Sequence, residues 1–218
     1  MSQHKPPHER QHKERIGVFG GAFDPPHNAH VALAQVALKE LDLDSLHVIP
    51  TGQAWHKTRT LSAPEHRLRM TRLAFANVAQ VVVDDREINR AGPTYTIDTL
   101  QALQADNPGA QLYLVMGADQ FAAFKQWHKW QMILKIAIIC VAARPCFNWA
   151  EGLFDTQKQA EGRVTMLSMP QMAVSATHIR QLIREAFVPG LGENQILADL
   201  LPRAVESYIA QHQLYTAS

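Results

Sequence analysis

The amino-acid sequence predicts an α/β domain built on a doubly wound parallel sheet. Three observations predict it. Short unbroken apolar runs alternate with longer segments whose apolar residues recur at helical spacing, the pattern of repeated right-handed βαβ units. The 218 residues contain no internal repeat and no linker long enough to divide them. The stretches richest in chemistry-bearing side chains fall just past apolar runs, where open parallel sheets bind their ligands.

Residues 16–19 read as a buried strand, broken by Gly20-Gly21 and then by Pro25-Pro26, which cannot continue regular structure. From His30 to about Leu41 the residues Leu33, Val36, Ala37 and Leu41 share one helix face. Residues 46–49 are the second strand, followed by a loop over 50–61 that carries Trp55, His56, Lys57 and Arg59. Ser62-Ala63-Pro64-Glu65 reads as a capping box opening a helix that buries Leu68, Leu73 and Phe75. Val81-Val82-Val83 is the third strand, and a polar connection runs on to Tyr95. Thr96 is placed to cap a helix through Ile97, Leu100 and Leu103, which Asn107-Pro108-Gly109 ends. Residues 112–116 are the fourth strand, with Gly117-Ala118-Asp119 at its end, and 121–134 are mostly helical around a break at Trp127-His128-Lys129-Trp130. The fifth strand is 136–141, 147–163 a surface excursion, and the sixth strand 164–167. Ser175 can cap a helix through Phe187, and Pro202 suits the first turn of a final helix. The resulting sheet is Rossmann-like, without the GxGxxG of dinucleotide-binding variants after its first strand.

Residues 1–14, with His4, His8, His12 and the Pro6-Pro7 pair, have no apolar face to bury. They are expected to be a disordered extension, a metal-binding tail being the alternative, and 15–218 to form one domain. Hydrophobic residues are 46% and charged residues 19% of the chain, as in an ordinary globular protein. A net charge of +1 gives no case for general nucleic-acid or membrane-surface binding. Cys140 and Cys146 suggest neither a disulfide framework nor a zinc site, and Cys140 lies in an apolar run as an inert buried thiol. No apolar run reaches membrane-spanning length and no signal core opens the chain, so a cytoplasmic protein is expected. A homo-oligomer is left open.

The stretch Arg15 to His30, RIGVFGGAFDPPHNAH, is the centre of the reading. Paired glycines admit a ligand close to the backbone, and a helix start offers free N–H groups and the positive dipole end. His27 and His30, three apart, share one helix face and can both reach one anionic group. The physical reading is a phosphate site.

These residues carry a family resemblance. GGAFDPPHNAH resembles the (T/H)xGH nucleotidylyltransferase signature, and GPTYTIDTL from Gly92, LVMGAD with WHKW, and VSATHIR from Val174 narrow it. Together they resemble bacterial nicotinate-nucleotide adenylyltransferase over nearly everything after Arg15. Two departures are Ala29, where Gly is common, and Ala22, where Ser or Thr is usual. The resemblance implies a Rossmann-like nucleotidylyltransferase fold. It implies transfer of the adenylyl group of ATP to nicotinate mononucleotide, giving nicotinate adenine dinucleotide (deamido-NAD) and pyrophosphate in NAD biosynthesis. Mg²⁺ accompanies ATP, with no dedicated protein cage expected, because it bonds mainly to phosphates and water.

Such a reaction joins two polyanions, so positioning and electrostatics dominate. His27, His30, Lys57 and Arg180 are the candidate catalytic residues, and the resemblance puts the two histidines on the ATP phosphates. Gly20, Gly21, Ala22, Phe23, Gly117, Asp119, Ser175 and Thr177 are the candidate ATP-binding residues. His56, Thr96, Trp127 and His128 are assigned to the acceptor, Trp127 as a stacking surface for a pyridine ring. By the resemblance, Thr96 and the backbone near His128 face the nicotinate carboxylate. Bland alternatives stand beside these: a solvated loop charge for Lys57 and Arg59, plain capping for Ser175, a carboxylate partner for Arg180, a turn carboxylate for Asp119 and a core role for Trp127, as expected for Trp130. Other readings are a pantetheine-phosphate or nicotinamide-mononucleotide adenylyltransferase and a non-catalytic nucleotide sensor.

Overall fold

A computed structural model describes residues 13–52, 61–142, 163–170, 172–186 and 195–216. The strands are β1 (Arg15–Gly21), β2 (Ser45–Pro50), β3 (Val81–Val83), β4 (Gln111–Gly117), β5 (Ala137–Ala142) and β6 (Val164–Leu167). The helices are α1 (Asn28–Glu40), α2 (Pro64–Phe75), α3 (Thr96–Asp106), α4 (Ala118–Ala122), α5 (Trp130–Ile136), α6 (Ala176–Ala186), α7 (Gln195–Leu200) and α8 (Arg203–Gln211), with a 3-10 turn at Phe124–Gln126.

The strands form one sheet in the order β3-β2-β1-β4-β5-β6, every neighbouring pair parallel. β1 and β4 are the central pair, in register with Phe19 opposite Val115. From β1 the chain winds outward to β2 and β3, and from β4 it winds the other way to β5 and β6. The order therefore reverses between β1 and β4, and a crevice opens beyond their C-terminal ends. This is the doubly wound Rossmann-like sheet expected from the alternation of elements.

Side-chain alternation divides the core into two layers. Phe19, Leu46, Val48, Tyr113, Val115 and Cys140 point to the side covered by α1, α2, α6 and α8. Ile16, Val18, Leu112, Leu114, Ile139 and Val141 point to the side covered by α3, α4 and α5. Each such aliphatic side chain contributes about 1.5–3 kcal/mol by leaving water. Ala34 and Ala37, both fully buried, let α1 lie close against the sheet. Cys140 is fully buried, and burial pushes its thiol up to about 12, so it is an inert core residue.

Several boundaries differ from the expected ones. α1 starts at Asn28 with His27 as its N-cap, two residues before the expected start. Ser62 does not cap α2: Ala63 is the N-cap, Pro64 holds the first helical position, and the Ser62 N–H donates to Asp24 Oδ2 at 3.3 Å. Pro64 keeps the residue before it extended, so Ser62 is carried away from the helix start. Leu68 and Leu73 are only partly buried; the inner face is Arg67, Met70, Thr71, Ala74 and Phe75. The α3 cap is Tyr95, with Thr96 the first helical residue. Pro202 is the N-cap of α8 and does not enter its first turn. α7 has too little apolar period to be read from sequence. Ser175 caps α6 as expected, its Oγ accepting from the His178 N–H at 3.2 Å. The expected excursion lies outside the described residues up to residue 162, as do residues 1–12 of the extension; Glu14 already accepts a hydrogen bond from the Gln111 N–H at 2.7 Å.

Candidate active site

A cavity of about 970 Å³ occupies the crevice beyond β1 and β4. That is the upper end of the range for ligand sites, about 300–1,000 Å³. Gly20 is the second-last residue of β1 and Gly117 the last of β4, and a Cβ built on either would meet nothing within 4 Å among the described residues. Their hydrogens leave the backbone open to a ligand from the cavity. The glycines are not needed here for a left-handed backbone; they keep the floor of the site clear.

The β1–α1 loop sets two imidazoles at the cavity wall. Phe23, at φ +47°, turns its ring into the core, edge-on to Phe19 at 5.4 Å and to Phe75 at 6.3 Å. The Phe23 ring also supports His30 at 5.0 Å. His30 Nδ1 accepts the His27 main-chain N–H at 3.1 Å, so the ring proton is assigned to Nε2. The His27 ring stacks on that of His30 with centroids 3.7 Å apart. His27 is buried and its Nδ1 has no hydrogen-bond partner among the described residues; burial lowers its pKa to about 4, so it is neutral at pH 7.

The same loop is braced from three distant segments. Asp24 is 2% exposed; its Oδ1 accepts the Tyr215 hydroxyl at 2.7 Å, and its carbonyl accepts Arg180 Nη1 at 2.7 Å. Arg180 Nη2 also reaches the Thr177 hydroxyl at 3.1 Å, which fixes the guanidinium along the cavity wall at the start of α6. Below the loop, Arg67 is 1% exposed and donates to three carbonyls, Ser62 at 3.0 Å, Ala22 at 3.1 Å and Thr51 at 2.7 Å. Arg67 thereby joins the ends of β1 and β2 to the start of α2.

The opposite end of the cavity is aromatic. Trp127 follows the 3-10 turn, packs on Phe124 at 5.6 Å and lines the cavity. Lys129 at φ +53° breaks the helix here and separates Trp127-His128 from α5. The His128 ring lies on Tyr95 at 4.5 Å, and Thr96 stands beside it at the N-terminus of α3. Trp130 packs on Phe124 away from the cavity lining, partly buried. Glu87 underlies this end, its Oε1 accepting the Thr99 hydroxyl at 2.8 Å, with Thr94 and the Gly52 N–H also bonded to its carboxylate. Burial nevertheless pushes the Glu87 carboxyl up. Asp119 is exposed in the first turn of α4.

His27, His30, Arg180, Gly20, Gly21, Ala22, Phe23, Gly117, Asp119, Thr177, Thr96, Trp127 and His128 all line this one cavity. Ser175 sits at the α6 cap beside it. His56 and Lys57 lie outside the described residues. Asp24 and Tyr95 stood inside quoted motifs without an assigned role. Arg67 and Tyr215 carry no sequence signal because their partners are remote in sequence, and Glu87 lies in a polar connection with no motif to mark it.

Residues 18–182 match a family described as cytidylyltransferase-like. The chain belongs to this class, and the cavity described above lies where its sheet order reverses. It is 52% identical over 202 residues to a protein of Albidiferax ferrireducens, covering 93% of this chain and 98% of that one. It is 42% identical to one of Bordetella petrii, covering 93% and 99%. Both carry the name "Probable nicotinate-nucleotide adenylyltransferase". The fold is shared with Plasmodium falciparum nicotinic acid mononucleotide adenylyltransferase in complex with NaAD, at TM-score 0.74 and 19% identity over 93% of this chain and 97% of that one. Within the class, this chain belongs to the nicotinate-nucleotide adenylyltransferase family.

Proposed function

We propose that the chain transfers the adenylyl group of ATP to nicotinate mononucleotide. The observation that carries the reading is one cavity with two unlike ends at the sheet's switch point. Histidines, Arg180 and the start of α6 stand at one end, and Trp127, His128, Tyr95 and Thr96 at the other. The first end suits phosphates: cationic, rich in N–H donors and floored by glycine. The second suits a flat pyridine ring bearing an acceptor group.

In this reading an oxygen of the mononucleotide phosphate attacks the α-phosphorus of ATP. A new O–Pα bond forms, the Pα–O bond to the β-phosphate breaks, and the electron pair leaves with pyrophosphate. The attacking monoester is largely ionised at neutral pH, so no general base is required. His30 Nε2–H donates to phosphate oxygens as charge gathers on them, and His27 holds the ring in place by stacking and through its backbone N–H. Arg180 and the first N–H groups of α6 receive the departing phosphates. Lys57, which follows β2 in the sequence, is assigned to the phosphates as well. Magnesium arrives as part of the nucleotide, since it favours phosphate oxygens and water. Of the carboxylates that line the cavity among the described residues, Asp119 is exposed, while the Asp24 carboxylate already accepts from Tyr215 and Ser62. No helix among the described residues is long and apolar enough to cross a membrane, and the reading places the enzyme in the cytoplasm with its ATP.

The test is incubation of the purified chain with MgATP and nicotinate mononucleotide. Equimolar pyrophosphate and nicotinate adenine dinucleotide, identified by mass, are expected. Absence of the dinucleotide would remove the assignment.

A further inference from the structure

We propose that Tyr215, near the C-terminus, is a positioning residue for the nucleotide: its hydroxyl fixes Asp24, and Asp24 in turn anchors Arg180. Tyr215 lies 191 residues from Asp24, yet its hydroxyl donates to Oδ1 at 2.7 Å, the short distance of a charge-assisted bond. On the same residue, the Asp24 carbonyl takes Arg180 Nη1 at 2.7 Å and Oδ2 takes the Ser62 N–H at 3.3 Å. Asp24 is thus a buried junction of the histidine loop, the entry to α2, α6 and the C-terminal segment.

The chain is bent to make this contact. After α8 it passes through Gln213 at φ +49° and Tyr215 at φ +68°, a left-handed backbone that a bulky residue keeps only where its surroundings impose it. The Leu214 N–H closes the turn onto the Ile209 carbonyl at 3.0 Å. The ring is partly buried, and its hydroxyl also lies 3.9 Å from Met70 Sδ. Desolvation and the neighbouring carboxylate raise the Tyr215 pKa, which keeps the hydroxyl a donor. Without it the buried carboxylate loses the hydroxyl donor at Oδ1, and the Asp24 peptide that holds Arg180 loses its fixed direction. The cost then falls on the nucleotide end, while the Trp127 end is untouched.

The inference rests on Arg180 meeting the nucleotide, and its test does not depend on the acceptor. Calorimetric affinity for α,β-methylene-ATP with magnesium is measured for the full chain, Tyr215→Phe, Arg180→Ala and the double variant. Phe keeps the ring and removes only the hydroxyl. Tyr215→Phe should weaken the analogue about tenfold, and less than about twofold when Arg180 is already Ala, because residues acting through one another are non-additive. The nicotinate mononucleotide KM should stay within about twofold. If Tyr215→Phe lowers thermal stability, all four proteins are compared at a temperature where circular dichroism shows them folded. Unchanged affinity in Tyr215→Phe, or an undiminished effect in the Arg180→Ala background, overturns the proposal. Failure to make the dinucleotide would instead overturn the reaction and leave this binding result standing.

Discussion

The His27 main-chain N–H donates to His30 Nδ1 at 3.1 Å while the two imidazoles stack 3.7 Å apart. One hydrogen bond therefore selects the His30 tautomer and directs Nε2–H away from the backbone. Removing a donor that acts on transition-state charge costs ~10²–10³ in turnover. His30→Ala should lower kcat by about that factor with little loss of thermal stability. A folded His30→Ala protein with near-normal kcat would take His30 out of the chemistry.

His27 makes stability fall in mild acid. Its pKa is lowered from 6.5 to about 4 by burial, so between those values the unfolded chain binds a proton that the folded chain does not. Stability is then full above pH 6.5 and is lost as pH falls toward 4, by about 2 kcal/mol between pH 7 and 5 for this group alone. Urea unfolding at both pH values should show a smaller drop for His27→Gln than for the parent chain. An equal drop in the two would show that His27 is not the buried neutral group responsible.

Gly20 separates a ligand role from a packing role. Its missing Cβ would meet no atom of the described residues within 4 Å, so Gly20→Ala should unfold at nearly the parent temperature. The methyl group would stand in the cavity instead. Displacing a bound phosphate by about 1 Å costs up to ~10² in rate, and kcat/KM for ATP should fall at least about tenfold. Normal kinetics in Gly20→Ala would mean that the phosphates pass elsewhere.

Arg67 should be a stability residue. Its buried guanidinium satisfies carbonyls of Ser62, Ala22 and Thr51. Leaving buried acceptors unpaired costs about 1–3 kcal/mol each, so Arg67→Met should lose about 3 kcal/mol or more in urea unfolding. Arg67→Lys recovers little, because an ammonium cannot reproduce the planar fork. A loss below about 1 kcal/mol for Arg67→Met would contradict this bracing role.

The legible parts of the molecule were those encoded locally. Runs such as Leu112 to Met116 announce buried parallel strands, and the GGAFDPPHNAH string places glycines and histidines between strand and helix. What was hidden is carried by pairings remote in sequence. Arg67 looks like a surface charge on a helix until it is seen bonded to Ala22, 45 residues away. Tyr215 sits in a polar terminus without motif, and its partner is 191 residues away. Ser62 matched a capping box by residue type, yet Pro64 moved the helix start past it. Local pattern cannot anticipate which carbonyls a buried guanidinium will meet, since that depends on the order in which strands pack.

The discrimination of acid from amide tests the central claim. A nicotinate carboxylate accepts hydrogen bonds at both oxygens, whereas nicotinamide turns a donor toward one of them. Thr96 holds the first position of α3, where N–H groups lack intrahelical partners and the dipole favours an anion. The amide would set donor against donor at a cost of ~1–3 kcal/mol. In the proposed site Trp127 would stack on either ring, so Trp127→Ala should raise both KM values and largely preserve their ratio. The decisive measurement is kcat/KM for nicotinate and nicotinamide mononucleotides at saturating MgATP. The acid should be favoured by at least about tenfold; equal efficiency, or preference for the amide, would contradict the nicotinate assignment.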